Sequence, residues 1–150
     1  MKDKTNLLSF NVWSGTEYYN SNNNIDYDNN KFNLRTSNDF SSNGEYSLKI
    51  ISTQDTTYNY IRLYIGSVVT GETYNGSIHI LNKKIPKLTL RIIENNTKLM
   101  TDVIIVKSDN IQEINVSRLV NDSNISFSLI YGANIPSGVV YIDNIRLSYS

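Results

Sequence analysis

The chain has 150 residues, the size of one ordinary domain and long enough to bury a core without disulfides or metals. Its 14 basic and 14 acidic side chains give a formal net charge of zero, which argues against nucleic acid as a partner, because neutralising phosphates needs clustered Lys and Arg. Cysteine is absent, so disulfides, thiolate metal sites and thiol catalysis are excluded, while the redox compartment stays open.

The chain opens on Met1-Lys2-Asp3-Lys4-Thr5-Asn6 with neither a long apolar region nor a small-residue cleavage site, so no export signal is expected within it. That pattern suits a cytosolic protein, a phage structural protein, or a module of a larger secreted chain. No apolar run approaches the roughly 20 residues that span a bilayer, and no membrane insertion is expected. Asn, Ile, Tyr, Lys and Ser dominate and Ala is scarce, a bias toward strands joined by Asn-rich turns. The same bias produces Asn-Xaa-Ser/Thr triplets by chance, and they are not read as glycosylation signals.

Apolar residues recur with period two in short runs bounded by Gly, Asn, Asp and Pro, and no window carries a 3.6-residue stripe. The spacing predicts strands near 6 to 10, 31 to 37, 45 to 52, 58 to 65, 73 to 82, 87 to 94, 101 to 106, 111 to 116, 125 to 131 and 139 to 149. Gly71-Glu72, Asn95-Asn96, Asn121-Asp122 and Pro136-Ser137-Gly138 supply the reversals between them. Between the first two strands, Ser14 to Asn30 is polar, Asn-rich and aromatic with no periodic face, and reads as one long loop. Many short antiparallel strands in one unbroken chain predict a single domain over residues 1–150, an all-β, two-sheet sandwich and most economically a jelly roll.

The last strand is the most informative. Val140 and Ile142 share one face, Ile145 and Leu147 continue on the opposite parity, and a bulge near Asp143 and Asn144 is needed to keep all four inside. Such a bulge would aim the Asp143 carboxylate at a specific partner.

Three segments, Asn6-Leu7-Leu8-Ser9-Phe10 with Trp13 behind it, Asn43-Gly44-Glu45-Tyr46-Ser47-Leu48-Lys49-Ile50, and Val140-Tyr141-Ile142-Asp143-Asn144-Ile145-Arg146-Leu147, together resemble carbohydrate-binding modules of the family 4, 9 and 22 type. Thr70 to Ser77 is similar to a strand opening of that family. The resemblance implies a galactose-binding-like jelly roll, as also found in phage tail and cell-surface proteins, with glycan or polysaccharide as partner and no catalysis. It implies placement at a cell surface or virion tail within a larger multidomain or oligomeric assembly, where the same sandwich could alternatively act as a structural spacer or assembly domain. It also implies a structural Ca²⁺ held by Asp143, carbonyls of the strand that begins at Glu45, and Asn11. The family's usual Phe-Glu pair is replaced here by Phe10-Asn11, which removes one charged ligand. Without metal, Asp143 would accept backbone N–H bonds across the bulge.

Sugar binding asks for an aromatic face against pyranose C–H groups with planar hydrogen-bonding groups beside it. Tyr60, Arg62 and Tyr64 are expected to point outward together, because Ile61, Leu63 and Ile65 fit the core phase of the same strand. Jelly-roll pairing would put the strands at 58 to 65, 87 to 94, 101 to 106 and 125 to 131 in one sheet and add Arg91, Ser126 and Ser128 to that face. The alternative is plain cross-strand packing. Trp13, Tyr18, Tyr19 and Tyr27 form a second aromatic group that could line a sandwich end, with Trp13 also suited to the core. Asn24 to Asn30 begins like an EF-hand loop, but Lys31 and Ser37 stand where Gly and Glu are required, so it reads as a turn. His79 has no nucleophile elbow near it, and Glu94, Asp102 and Glu113 show no pattern placing two acids across a cleft.

Overall fold

The structure, a computed structural model, describes residues 25–40, 47–53 and 57–149; the strand expected at 6 to 10 and the expectations on Asn11, Trp13 and Glu45 lie outside them. Among the described residues there are ten strands: β1 (Asp26–Tyr27), β2 (Phe32–Ser37), β3 (Ser47–Ser52), β4 (Asn59–Ser67), β5 (Glu72–Asn82), β6 (Leu88–Glu94), β7 (Met100–Ile105), β8 (Gln112–Val120), β9 (Asn124–Tyr131) and β10 (Gly138–Tyr149). They form two five-stranded sheets, ordered β1-β4-β9-β6-β7 and β2-β3-β10-β5-β8. Every pairing is antiparallel.

Alternation decides which side chains meet between the sheets. In β6, Leu88, Leu90 and Ile92 are buried while Thr89, Arg91 and Ile93 face away. In β5, Ile78 and Ile80 are buried and His79 and Leu81 lie on the other face. Each aliphatic side chain so buried contributes about 1.5–3 kcal/mol, and this inter-sheet layer holds the sandwich together.

Among the described residues, two bulges shift the alternation. The first lies in β10, where pairing with β5 slips between Asp143 and Arg146. Asn144 takes φ 49° there, a left-handed conformation that Asn tolerates better than most residues. Val140, Ile142, Ile145 and Leu147 are all buried as a result. The second lies in β4, between Arg62 and Tyr64, and the sequence did not announce it. Leu63 is the extra residue, so Tyr64 pairs with the core residue Phe127 and turns toward the interior. Ile65, expected inside, is instead 45% exposed. The long polar loop also differs from expectation, because Asp26 and Tyr27 add a short edge strand beside Arg62 and Ile61.

Candidate functional site

The outer face of the β1-β4-β9-β6-β7 sheet is a shallow trough. Its floor is the central strand β9, where Ser126, Ser128 and Ile130 point outward yet are buried. Flanking strands carry taller side chains at the same level, and Ser126 is further covered by Asn95, to whose Oδ1 its hydroxyl donates at 3.0 Å. Tyr60 stands opposite Ile130 on one side and Thr89 on the other, followed by Ile104. Past the bulge, Ile65 stands opposite Ser126, followed by Ile93 and Met100.

Between these two apolar rungs lies a charged one. Asp26, Arg62, Ser128, Arg91 and Asp102 are successive register partners across all five strands. Arg62 donates from Nη1 to Asp26 Oδ2 at 2.9 Å. Arg91 donates from Nε and Nη2 to the two oxygens of Asp102 at 2.7 and 3.0 Å. That two-point pair is the planar geometry a guanidinium and a carboxylate share, and the hydrogen bond to Asp102 holds the Arg91 pKa above its ordinary value. The Arg62 guanidinium carbon lies 4.3 Å from the centroid of the Tyr60 ring, within cation–π range. The ring itself is 40% exposed.

The sequence-predicted residues divide accordingly. Tyr60, Arg62, Arg91, Ser126 and Ser128 share this face, the two serines as floor and not as a raised surface. Tyr64 is corrected away from it. Half-buried against the core, it donates its hydroxyl to the Ser67 carbonyl at 3.0 Å, and burial pushes its phenol pKa up. Asp26 and Asp102 complete the charged rung, and sequence reasoning had placed them in other roles. A register shared by five strands so distant in sequence has no local spacing to reveal it.

Glu94 and Asp28 have structural partners. Glu94 is 1% exposed and points inward, where Arg118 Nε and the Asn121 and Asp122 N–H groups donate to it at 2.6, 3.0 and 2.8 Å. Asp26 and Asp28 of the EF-hand-like stretch diverge, since Asp28 Oδ1 accepts the Asn30 N–H at 2.9 Å within a turn. His79 is half-buried on the outer face of the second sheet, in register with Asp143 on one side and Glu113 on the other.

Asp143 is 0% exposed, and its Oδ1 accepts the Asn144 N–H at 2.8 Å. One step beyond the last paired rung of β3 and β10, Leu48 with Ile142, stands Ser47. Its hydroxyl is buried with no hydrogen-bond partner among the described residues.

No protein-family model matches the sequence, and no curated protein sequence matches it. Solved structures do match in shape. The arabinose-bound MgGH51 α-L-arabinofuranosidase superposes with a TM-score of 0.71 at 15% identity over 97% of this chain, which spans only 26% of that enzyme. TmCBM61 in complex with β-1,4-galactotriose gives 0.63 at 12% identity, covering 97% of this chain and 99% of that one. The enzymatically active domain of bacteriophage CBA120 tailspike protein 4 gives 0.66 at 9% identity, covering 95% and 21%. At these identities the likeness is one of fold, and the chain is a two-sheet jelly-roll sandwich, the architecture seen in carbohydrate-binding modules and in part of a phage tailspike.

Proposed function

We propose that this protein is a non-catalytic carbohydrate-binding module that holds glycan in the trough of the β1-β4-β9-β6-β7 sheet. The observation that carries the reading is the charged rung beside an exposed ring. Tyr60 supplies an apolar face for a pyranose. Arg62 and Arg91, each anchored by its own carboxylate, present guanidinium donors next to acceptor oxygens, the pairing that neighbouring sugar hydroxyls require. The small floor of Ser126 and Ser128 leaves depth for a ring between the two arginines. An open trough buries little ligand, so single-site affinity is expected to be micromolar to millimolar, on the order of −8 to −4 kcal/mol.

The module acts at a cell or virion surface within a larger assembly, where repetition supplies avidity. Support comes from the arabinofuranosidase and the tailspike, in which this fold is about a quarter or less of the chain. The same account includes a structural Ca²⁺ at Asp143 and Ser47, which would tie the β10 bulge to β3. Glycan-array binding of the wild type and of Tyr60→Ala tests the reading, with loss of signal in a folded variant as the expected result.

One observation favours an assembly role as well. The segment between the neighbouring edge strands β7 and β8 exposes Val106 and Ile111, apolar surface of the kind that subunit contacts cover. A concentration-dependent oligomer seen by light scattering, lost in Val106→Lys, would identify that role.

A further inference from the structure

The second sheet carries a cleft of its own, on the face opposite the trough and with different chemistry. It has a volume of about 570 Å³ and is lined by Asp39, Phe40, Leu81, Lys83, Lys84 and Tyr141, with the start of β10 at one end. Tyr141 projects from the outer face of β10, in register with Lys49 on one side and Leu81 on the other. Its ring and that of Phe40 meet at 58° with centroids 5.7 Å apart, forming an aromatic corner. Tyr141 Oη and Lys49 Nζ both donate to Asp39 Oδ2 at 3.0 Å. The Lys49 hydrogen bond first, then that of Tyr141, holds the Asp39 carboxyl below the ordinary carboxylate range, so the cluster keeps one fixed anion beside the rings.

Lys83 and Lys84 line the same cleft, both exposed and without an ion pair among the described residues. Their turn is rigid. The Asn82 side chain donates from Nδ2 to the Ile85 carbonyl and accepts the Ile85 N–H, both at 2.9 Å and both buried, while Ile85 is sealed in the core. Two lysines thus stand on a fixed backbone at a cleft that Phe40 and Tyr141 also line, and the carboxylate lining it, Asp39, is already paired with Lys49. Such a site attracts a ligand that has an apolar ring face and a negative charge.

We infer that this cleft is a second saccharide site, selective for an acidic sugar, in which a uronate ring packs on Phe40 and Tyr141 and its carboxylate meets Lys83 and Lys84. The site is independent of the trough, since none of its residues lies on the first sheet. Cation–carboxylate contacts on an exposed rim weaken with salt, whereas ring packing does not.

The test is calorimetric titration of the protein with polygalacturonate, with neutral β-1,4-galactan and with dextran sulfate. Polygalacturonate is expected to bind, with affinity falling about tenfold or more in Lys83→Ala/Lys84→Ala and again in Tyr141→Ala, a loss of about 1.4 kcal/mol per tenfold. Tyr60→Ala/Arg62→Ala should leave it unchanged, which separates this site from the trough. Thermal melting checks each fold, and the lysine pair, being exposed, keeps the test sound if the Tyr141 variant unfolds. Absence of polygalacturonate binding, or binding unaffected by the lysine pair, would overturn the proposal. So would dextran sulfate binding as tightly as polygalacturonate with no effect of Tyr141→Ala, since that result means charge attraction alone.

Discussion

Arg118 of β8 and Glu94 of β6 join the two sheets through an ion pair of 2.6 Å inside the sandwich. Both sit on inward-facing positions of their strands, Arg118 in phase with Val116 and Val120, and Glu94 in phase with Leu90 and Ile92. Arg118 also donates to Thr101 Oγ1 at 3.1 Å, and Glu94 Oε1 accepts two N–H groups of the β8–β9 turn. One carboxylate thus ties two strands and a turn. Removing it leaves a largely buried guanidinium without its anion, so Glu94→Ala should lower unfolding free energy by roughly 3–5 kcal/mol in urea titration.

Asp122 predicts a pH dependence. Burial alone pushes its carboxyl up, and hydrogen bonds from Asn96, Thr97 and Asn124 outweigh that effect, so its pKa lies below the ordinary value. A depressed carboxylate contributes stability that is fully present above the unfolded pKa of about 3.9 and disappears as pH falls through the folded value. Melting temperature should therefore drop below about pH 4, and the drop should be shallower in Asp122→Asn, which starts from a lower plateau at neutral pH.

Gly76 sets a packing limit. A Cβ there would lie 2.5 Å from Cε1 of the Phe127 ring, and Phe127 is fully buried with no room to retreat. Gly76→Ala is expected to cost about 1–3 kcal/mol, read as a lower melting midpoint. Partial recovery in Gly76→Ala/Phe127→Leu would show that the ring is the obstacle.

The strands were legible because their alternation is local, and so was the β10 bulge, since Ile142 and Ile145 cannot both face inward without it. The β4 bulge was not. Ile61, Leu63 and Ile65 fit an unbroken strand equally well, and only tertiary pairing with Phe127 selects Tyr64 for the interior. Gly66 is the one trace of it, because a Cβ there would meet the Tyr64 hydroxyl at 2.8 Å. Arg62 and Arg91 could be named from sequence as outward residues. Their alignment on either side of Ser128, each with a carboxylate beyond it, depends on registers between strands far apart in the chain.

Calcium bears on the Asp143 region. If the ion joins Asp143 and Ser47, added Ca²⁺ should raise the melting midpoint and EDTA should lower it, by the linkage expected of a ligand that binds only the folded state. Asp143→Asn should abolish the difference. An identical midpoint under both conditions would remove the metal.

The central claim is that glycan lies in the trough between Arg62 and Arg91. The most direct measurement is chemical-shift mapping of the ¹⁵N-labelled protein during titration with a neutral oligosaccharide that it retains on a glycan array. The account predicts shifts concentrated at Tyr60, Arg62, Arg91, Ser126 and Ser128, and loss of binding in Arg62→Ala and Arg91→Ala with the fold intact. Shifts confined to other surfaces, or full affinity in both variants, would contradict it.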